Sequence, residues 1–208
     1  VDGASGVNGL DGASAVAATQ DGKHVYATAA ADNSVSLFQR DATTGLLTFG
    51  TAYSDGGTAS AIQGASAVAV APNGGQVYVA GFGENAIEVF TRTPASGLLA
   101  SVDIERATDP NLSAMTGPRG IAVAPDGRHV YVAAATGSAV VVFTRNLTTG
   151  TLAWHSSVTN SSPGVSGMGG ARAVAVSPDG RHVVVAGETS DGIAVFARNL
   201  STGALTFV

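Results

Sequence analysis

The feature that most constrains this chain is its periodicity, because a segment of about 52 residues occurs four times in succession. The turn Asp21-Gly22 returns as Asn73-Gly74, Asp126-Gly127 and Asp179-Gly180. Around it the chain aligns without a gap from Gly12 to Phe49, Gly64 to Ser101, Gly117 to Trp154 and Gly170 to Phe207. A unit of this length cannot bury its own apolar faces, so it must stack on copies of itself.

Each unit reads as four short strands. A small-residue strand such as Ala67-Val68-Ala69-Val70 runs into the Asp-Gly or Asn-Gly turn, and a strand such as His129-Val130-Tyr131-Val132 leaves it. Asp-Gly between apolar runs signals a hairpin, since Gly takes up the positive φ that the turn requires. A second polar turn (Asp32-Asn33, Glu84-Asn85, Gly137-Ser138, Asp191-Gly192) opens a third strand. A third turn (Thr44-Gly45, Ser96-Gly97, Thr149-Gly150, Thr202-Gly203) opens a fourth. No stretch has helical periodicity.

The expected fold is therefore all-β: a β-propeller with four four-stranded antiparallel blades per chain, in a single domain. The repeats span approximately 12–63, 64–116, 117–169 and 170–208, the last taken with 1–11. Three assemblies stay open: a closed ring of four blades, half of an eight-blade ring formed by a dimer, or part of a longer array. Phe38, Phe90, Phe143 and Phe196 share one third-strand position, and Phe49, Trp154 and Phe207 one fourth-strand position; all are expected in the core between blades.

Composition excludes several function classes. A formal charge of −5 is the wrong sign for displacing counterions from nucleic acid. Without cysteine there are no disulfides and no thiolate metal sites. No apolar run reaches the roughly 20 residues of a membrane span. The chain begins with Val rather than Met and reads as a mature product or a piece of something longer. A secreted, cell-surface or periplasmic location is expected, its signal lying outside the segment.

The pattern Ser177-Pro178-Asp179-Gly180-Arg181-His182-Val183, followed by Ile193-Ala194-Val195-Phe196 and Thr202-Gly203-Ala204-Leu205, resembles the lactonase-like β-propeller repeat. That repeat occurs in bacterial 6-phosphogluconolactonases, in carboxymuconate cyclases and in secreted repeat proteins of unassigned role. The resemblance covers essentially the whole chain. It implies seven blades in the enzymes of the family, against four here, and its motifs specify the blade rather than a catalytic residue.

Function must come from positions where the repeats differ. Just before the first strand, Ser14, Ser66, Arg119 and Arg172 are equivalent and are expected to ring the mouth of the central channel. Two arginines from adjacent blades could hold a carboxylate or phosphate through charge-assisted bonds. The loops nearby carry Glu84 and Glu188. The turns on this face are mainly acidic and those on the opposite face mainly basic. His24, His129 and His182 recur at one blade position, with Gln76 in the other copy, which marks blade structure rather than metal binding or catalysis. No cofactor is expected; Asp2, Asn8 and Asp11, in a Gly-rich loop, are the calcium candidates. Gly167-Met168-Gly169-Gly170 precedes a strand where a phosphate loop needs a helix.

The leading expectation is a non-enzymatic binding or scaffold module that contacts protein, carbohydrate or a small anionic ligand on its long-loop face. The alternatives are a lactonase- or cyclase-like enzyme acting on a small anionic lactone, and a structural assembly protein with blades completed between chains, for example in a homodimer.

Overall fold

A computed structural model describes residues 1–4 and 6–208. The sixteen strands fall into four sheets that follow the repeats. The first sheet is β1 (Ala13–Ala18), β2 (His24–Ala29), β3 (Ser34–Arg40) and β4 (Leu47–Ser54). The second is β5 (Ala65–Val70), β6 (Gln76–Gly81), β7 (Ala86–Arg92) and β8 (Leu99–Arg106). The third is β9 (Pro118–Val123), β10 (His129–Ala134), β11 (Ala139–Arg145) and β12 (Leu152–Thr159). The fourth is β13 (Ala171–Val176), β14 (His182–Gly187), β15 (Gly192–Arg198) and the short β16 (Leu205–Phe207). Each is an antiparallel meander in chain order, the arrangement expected of a propeller blade.

Three registers carry a bulge at the same place. Between third and fourth strands the pairing shifts at Leu37/Phe38, Val89/Phe90 and Val142/Phe143. A bulge increases local twist, and here it immediately precedes Phe38, Phe90 and Phe143. At the second turn, Asn33, Asn85, Ser138 and Asp191 all adopt positive φ (45 to 52°). Three of these left-handed residues reach the next blade. Asn33 Oδ1 accepts from the Gly64 amide at 2.7 Å, Asn85 Oδ1 from Gly117 at 2.7 Å, and Ser138 Oγ from Gly170 at 3.1 Å.

Stacking runs along the innermost strands, β1 on β5, β5 on β9 and β9 on β13, with no comparable contact between β13 and β1. Three apolar cores fill the three junctions. Tyr26, Val35 and Leu37 meet Val68, Val79 and Phe90; Tyr78, Ile87 and Val89 meet Val130, Val132 and Phe143; Tyr131, Val140 and Val142 meet Val183, Val185 and Phe196. A buried Val, Leu, Ile or Phe contributes about 1.5–3 kcal/mol, so these junctions, not the separate blades, hold the fold.

The four blades form an open arc. Val35, Ile87 and Val140 are 0% exposed, yet the equivalent Ile193 is 68% exposed. At the other end Val16 is 68% exposed where Val68 and Ile121 are buried. This corrects the closed four-blade ring among the sequence expectations: after three junctions the last blade is still turned away from the first. One aromatic expectation also fails. Trp154 is 39% exposed on the outer strand, its indole Nε1 donating to Ser157 Oγ at 3.1 Å.

Candidate functional site

Buried polar residues collect at the junctions, on the Asp-Gly side of the arc. The arginine that ends a third strand enters the preceding blade. Arg198 Nη2 donates to Asp126 Oδ2 at 2.8 Å and to His129 Nδ1 at 2.8 Å, while its Nε donates to the Tyr131 hydroxyl at 2.7 Å. Arg92 repeats this with Asp21 at 2.9 Å and His24 at 2.6 Å. Arg145 uses Tyr78 at 2.6 Å, Asn73 and Gln76. Each tyrosine hydroxyl then donates to the carbonyl of the next blade's turn glycine, Tyr26 to Gly97, Tyr78 to Gly150 and Tyr131 to Gly203.

The shifts follow from this arrangement. Burial and the adjacent guanidinium both hold His24 and His129 below the usual imidazole range, so Nδ1 keeps the lone pair that accepts from arginine. The Thr19 hydroxyl, helped by Arg92, keeps Asp21 far below an ordinary aspartate. Burial pushes the Tyr26 phenol up to about 12. The histidines therefore belong to the blade junctions. Three of the cations expected on this basic face, Arg92, Arg145 and Arg198, are buried inside it.

The opposite, long-loop face holds a cavity of about 620 Å³ at the axis of the arc. Ser14, Ser66, Arg119 and Arg172 all line it, together with Phe82. Tertiary structure thus brings together four residues that are roughly 50 apart in sequence. Their roles differ. Ser14 Oγ donates to the Ala65 carbonyl and Ser66 Oγ to the Pro118 carbonyl, each at 2.7 Å, so both hydroxyl protons tie one inner strand to the next. At the third junction Gly120 serves instead, where an added Cβ would stand 3.0 Å from Ala173 Cα. Arginine is free to take the mouth position there because the bond that serine provides is replaced by close packing.

Arg119 lies 4.2 Å above the Phe82 ring, a cation–π contact that fixes its guanidinium. Arg172 Nη1 donates to Glu188 Oε2 at 2.8 Å, with both side chains more than half exposed. Such a pair contributes under about 1 kcal/mol, so an incoming anion can compete for the arginine at little cost. Glu84 is half-buried in the β6–β7 turn and is not among the lining residues. Asp2 Oδ1 accepts from the Leu10 amide and Asn8 Oδ1 from Gly9, while the Asp11 amide donates to Asp32 Oδ2. Asp2 and Asn8 thus bond backbone amides of their own loop, and among the described residues no group of three or more acidic or His side chains is placed to hold a metal.

Sequence reasoning missed three residues. Phe82 carried a signal, being the large aromatic in a turn where Ala30, Ala135 and Glu188 stand in the other blades. Glu88 is wholly buried in β7, one oxygen accepting from the Ser60 and Ala61 amides at 3.0 and 2.9 Å; Ser36, Val141 and Ala194 hold its place elsewhere. Glu105, on the outer strand β8, is raised to about 7 by burial and then by Asp103 and Asp109.

The family described as "Lactonase, 7-bladed beta-propeller" matches residues 51–166 and 162–208. Among curated proteins no sequence relative is found. Solved structures match over 94% of the chain. They include proposed 6-phosphogluconolactonases from Bacteroides uniformis (TM-score 0.76, 21% identity) and Bacteroides fragilis (TM-score 0.76, 22% identity). The periplasmic gluconolactonase PpgL of Pseudomonas aeruginosa matches with TM-score 0.72 and 19% identity. The chain spans 53% of the length of each. At these identities the structural likeness shows the fold. The family match overturns the expectation of a non-enzymatic scaffold, which rested on the uniformity of the repeats and on the lack of a convergent acid, base or nucleophile set in the sequence. That uniformity reports what blades need for stacking and says nothing against chemistry at the axis, where unlike residues converge.

Proposed function

We propose that this chain, which belongs to the family of seven-bladed lactonase β-propellers, takes part in hydrolysing a small anionic lactone at the channel mouth. The observation that carries this is the convergence of Arg119 and Arg172 on one axial cavity, with the Glu188 carboxylate 2.8 Å from Arg172. A lactone is a cyclic ester. Water adds to its carbonyl carbon, the ring C–O bond breaks, and the ring oxygen leaves as a hydroxyl after taking up a proton.

In this reading Arg119, braced on Phe82, binds the anionic group of the substrate, and Arg172 offers its N–H groups to the carbonyl oxygen as charge develops there. Glu188, displaced from Arg172, accepts the proton of the attacking water. The apolar Ala13, Ala15, Ala67 and Ala173 leave room for a compact ring and provide no competing charge. A periplasmic location belongs to the same proposal. Its support is the periplasmic gluconolactonase among the structural neighbours, and fractionating the source cells checks it.

The test is hydrolysis of glucono-1,5-lactone and its 6-phosphate, followed by proton release above the spontaneous rate. Arg172→Ala is expected to lower kcat/KM by about 10- to 100-fold, the loss of one hydrogen bond to a charged group, with the melting temperature unchanged because the side chain is exposed. Turnover that Arg172→Ala and Arg119→Ala leave intact would overturn the reading.

A further inference from the structure

Each of the three junctions buries one arginine at the end of a third strand, Arg92, Arg145 and Arg198 in turn. A guanidinium keeps its proton at any ordinary pH, so a buried one needs a counter-charge. At the first junction Asp21 supplies it to Arg92, and at the third Asp126 supplies it to Arg198. The second junction differs at both partner positions. Asn73 stands where the others have Asp, and Gln76 where they have His. Arg145 accordingly has no carboxylate partner among the described residues, and its charge is met by the neutral oxygens of Tyr78, Gly127, Asn73 and Gln76.

The contact with Asn73 is the weak one. Arg145 Nη2 stands 3.4 Å from Asn73 Oδ1, against 2.9 and 2.8 Å from Arg92 and Arg198 to their aspartates. The same Oδ1 already accepts from the Gly75 amide at 3.1 Å. Asp126 divides these tasks, Oδ1 accepting from the Arg128 amide and Oδ2 from Arg198. In Asn73 the second position is Nδ2, a donor. Arg145 and Asn73 both border a cavity of about 400 Å³ on the Asp-Gly side of the arc, walled by Pro72, Pro125 and Leu147. Asp126 borders it as well, but its Oδ2 is engaged by Arg198. Two buried arginines thus stand against one carboxylate, beside apolar walls that leave a charge less screened than open solvent does.

We infer that this cavity is an anion-binding site, which takes the phosphate or carboxylate group of a small ligand on Arg145 and Asn73 and the ligand's apolar part on Pro72, Pro125 and Leu147. The oxyanion supplies the charge that Asp21 and Asp126 supply at the other two junctions. The planar fork of arginine suits two oxygens of one such group. Binding replaces only the long bond to Asn73 and keeps those to Tyr78, Gly127 and Gln76. The corresponding cavity at the first junction, about 330 Å³ and bordered by Asp21 and Arg92, is the contrast within the same molecule, because there a carboxylate already holds the place and repels an anion. All the walls of the proposed site come from the second and third blades, on the face opposite Arg119 and Arg172, so the inference stands apart from lactone hydrolysis at the channel mouth.

Isothermal titration calorimetry with inorganic phosphate and with acetate tests this, in a protein carrying Arg119→Ala and Arg172→Ala so that the channel mouth binds neither. One site per chain is expected, and whichever anion binds more tightly identifies the group. Asn73→Asp, which installs the aspartate of the other two junctions, should weaken that binding at least about tenfold through like-charge repulsion, and should raise the melting temperature in anion-free buffer by giving Arg145 a counter-ion. The reverse exchange at the first junction, Asp21→Asn with His24→Gln, should create a second site and double the stoichiometry. Binding of neither anion overturns the proposal. So does binding that Asn73→Asp leaves unchanged, or a stoichiometry that the first-junction exchange leaves at one while circular dichroism shows the fold intact, because in each case the missing carboxylate does not make the site.

Discussion

His129 is a residue whose environment decides its chemistry. Its Nδ1 accepts from Arg198, and burial beside that guanidinium favours the neutral ring. A histidine depressed in the folded state binds fewer protons than in the unfolded chain. Its stabilisation is complete above the unfolded value near 6.5 and is lost as pH falls through that value and below. Glu105 acts in the opposite sense: its raised value favours the folded form in acid, an advantage lost as pH rises from 4.5 towards 7. A single-site comparison separates the two. His129→Gln, which places at this junction the residue that Gln76 already provides at another, should flatten the loss of stability between pH 6.5 and 5 in urea titrations. An unchanged pH profile would mean that Arg198 does not hold the ring neutral.

At the scale of the element, the third turn of the second, third and fourth blades seats on the blade before it. Gly97, Gly150 and Gly203 adopt φ of 76 to 81°, and a Cβ on any of them would collide with His24, Gln76 or His129 of the preceding blade. Gly45 has the same backbone, φ 75°, but meets only the end of Arg40 at 3.8 Å. Gly203→Ala therefore combines left-handed strain with a clash, whereas Gly45→Ala in the single chain has the strain alone, about 1–2 kcal/mol. The expected outcome in denaturant unfolding is a loss for Gly203→Ala at least about 1 kcal/mol greater than for Gly45→Ala. Equal losses would show that the turn does not bear on the neighbouring blade. The repeat made these glycines visible in sequence as turn residues; the residue beneath each one belongs to another repeat and had no local signal.

Across the whole molecule, packing is unequal. β6 and β10 are buried along their entire length, while β14 alternates between buried and exposed because its outer face is bare. Segments with one uncovered face open locally at lower free energy. Amide exchange of the chain should accordingly be slowest in β6, β7, β10 and β11 and fastest in β13 to β16. Uniform protection would mean that the junctions do not set local stability.

The blade, its four strands and its turns were legible in the amino-acid sequence because each depends on residues adjacent along the chain: the alternation of apolar positions, Gly where φ is positive, and a period that repeats them. The mouth positions Ser14, Ser66, Arg119 and Arg172 were legible too, because a departure from a repeat is visible against the other copies. What each residue does was decided only by the tertiary structure. The serines became inter-blade bonds, Arg119 found Phe82, three surface arginines proved to be buried in the preceding blade, and the ring proved open. These depend on how far one blade rotates against the next, a quantity set by the summed packing of side chains more than 50 residues apart, which no short stretch of sequence contains.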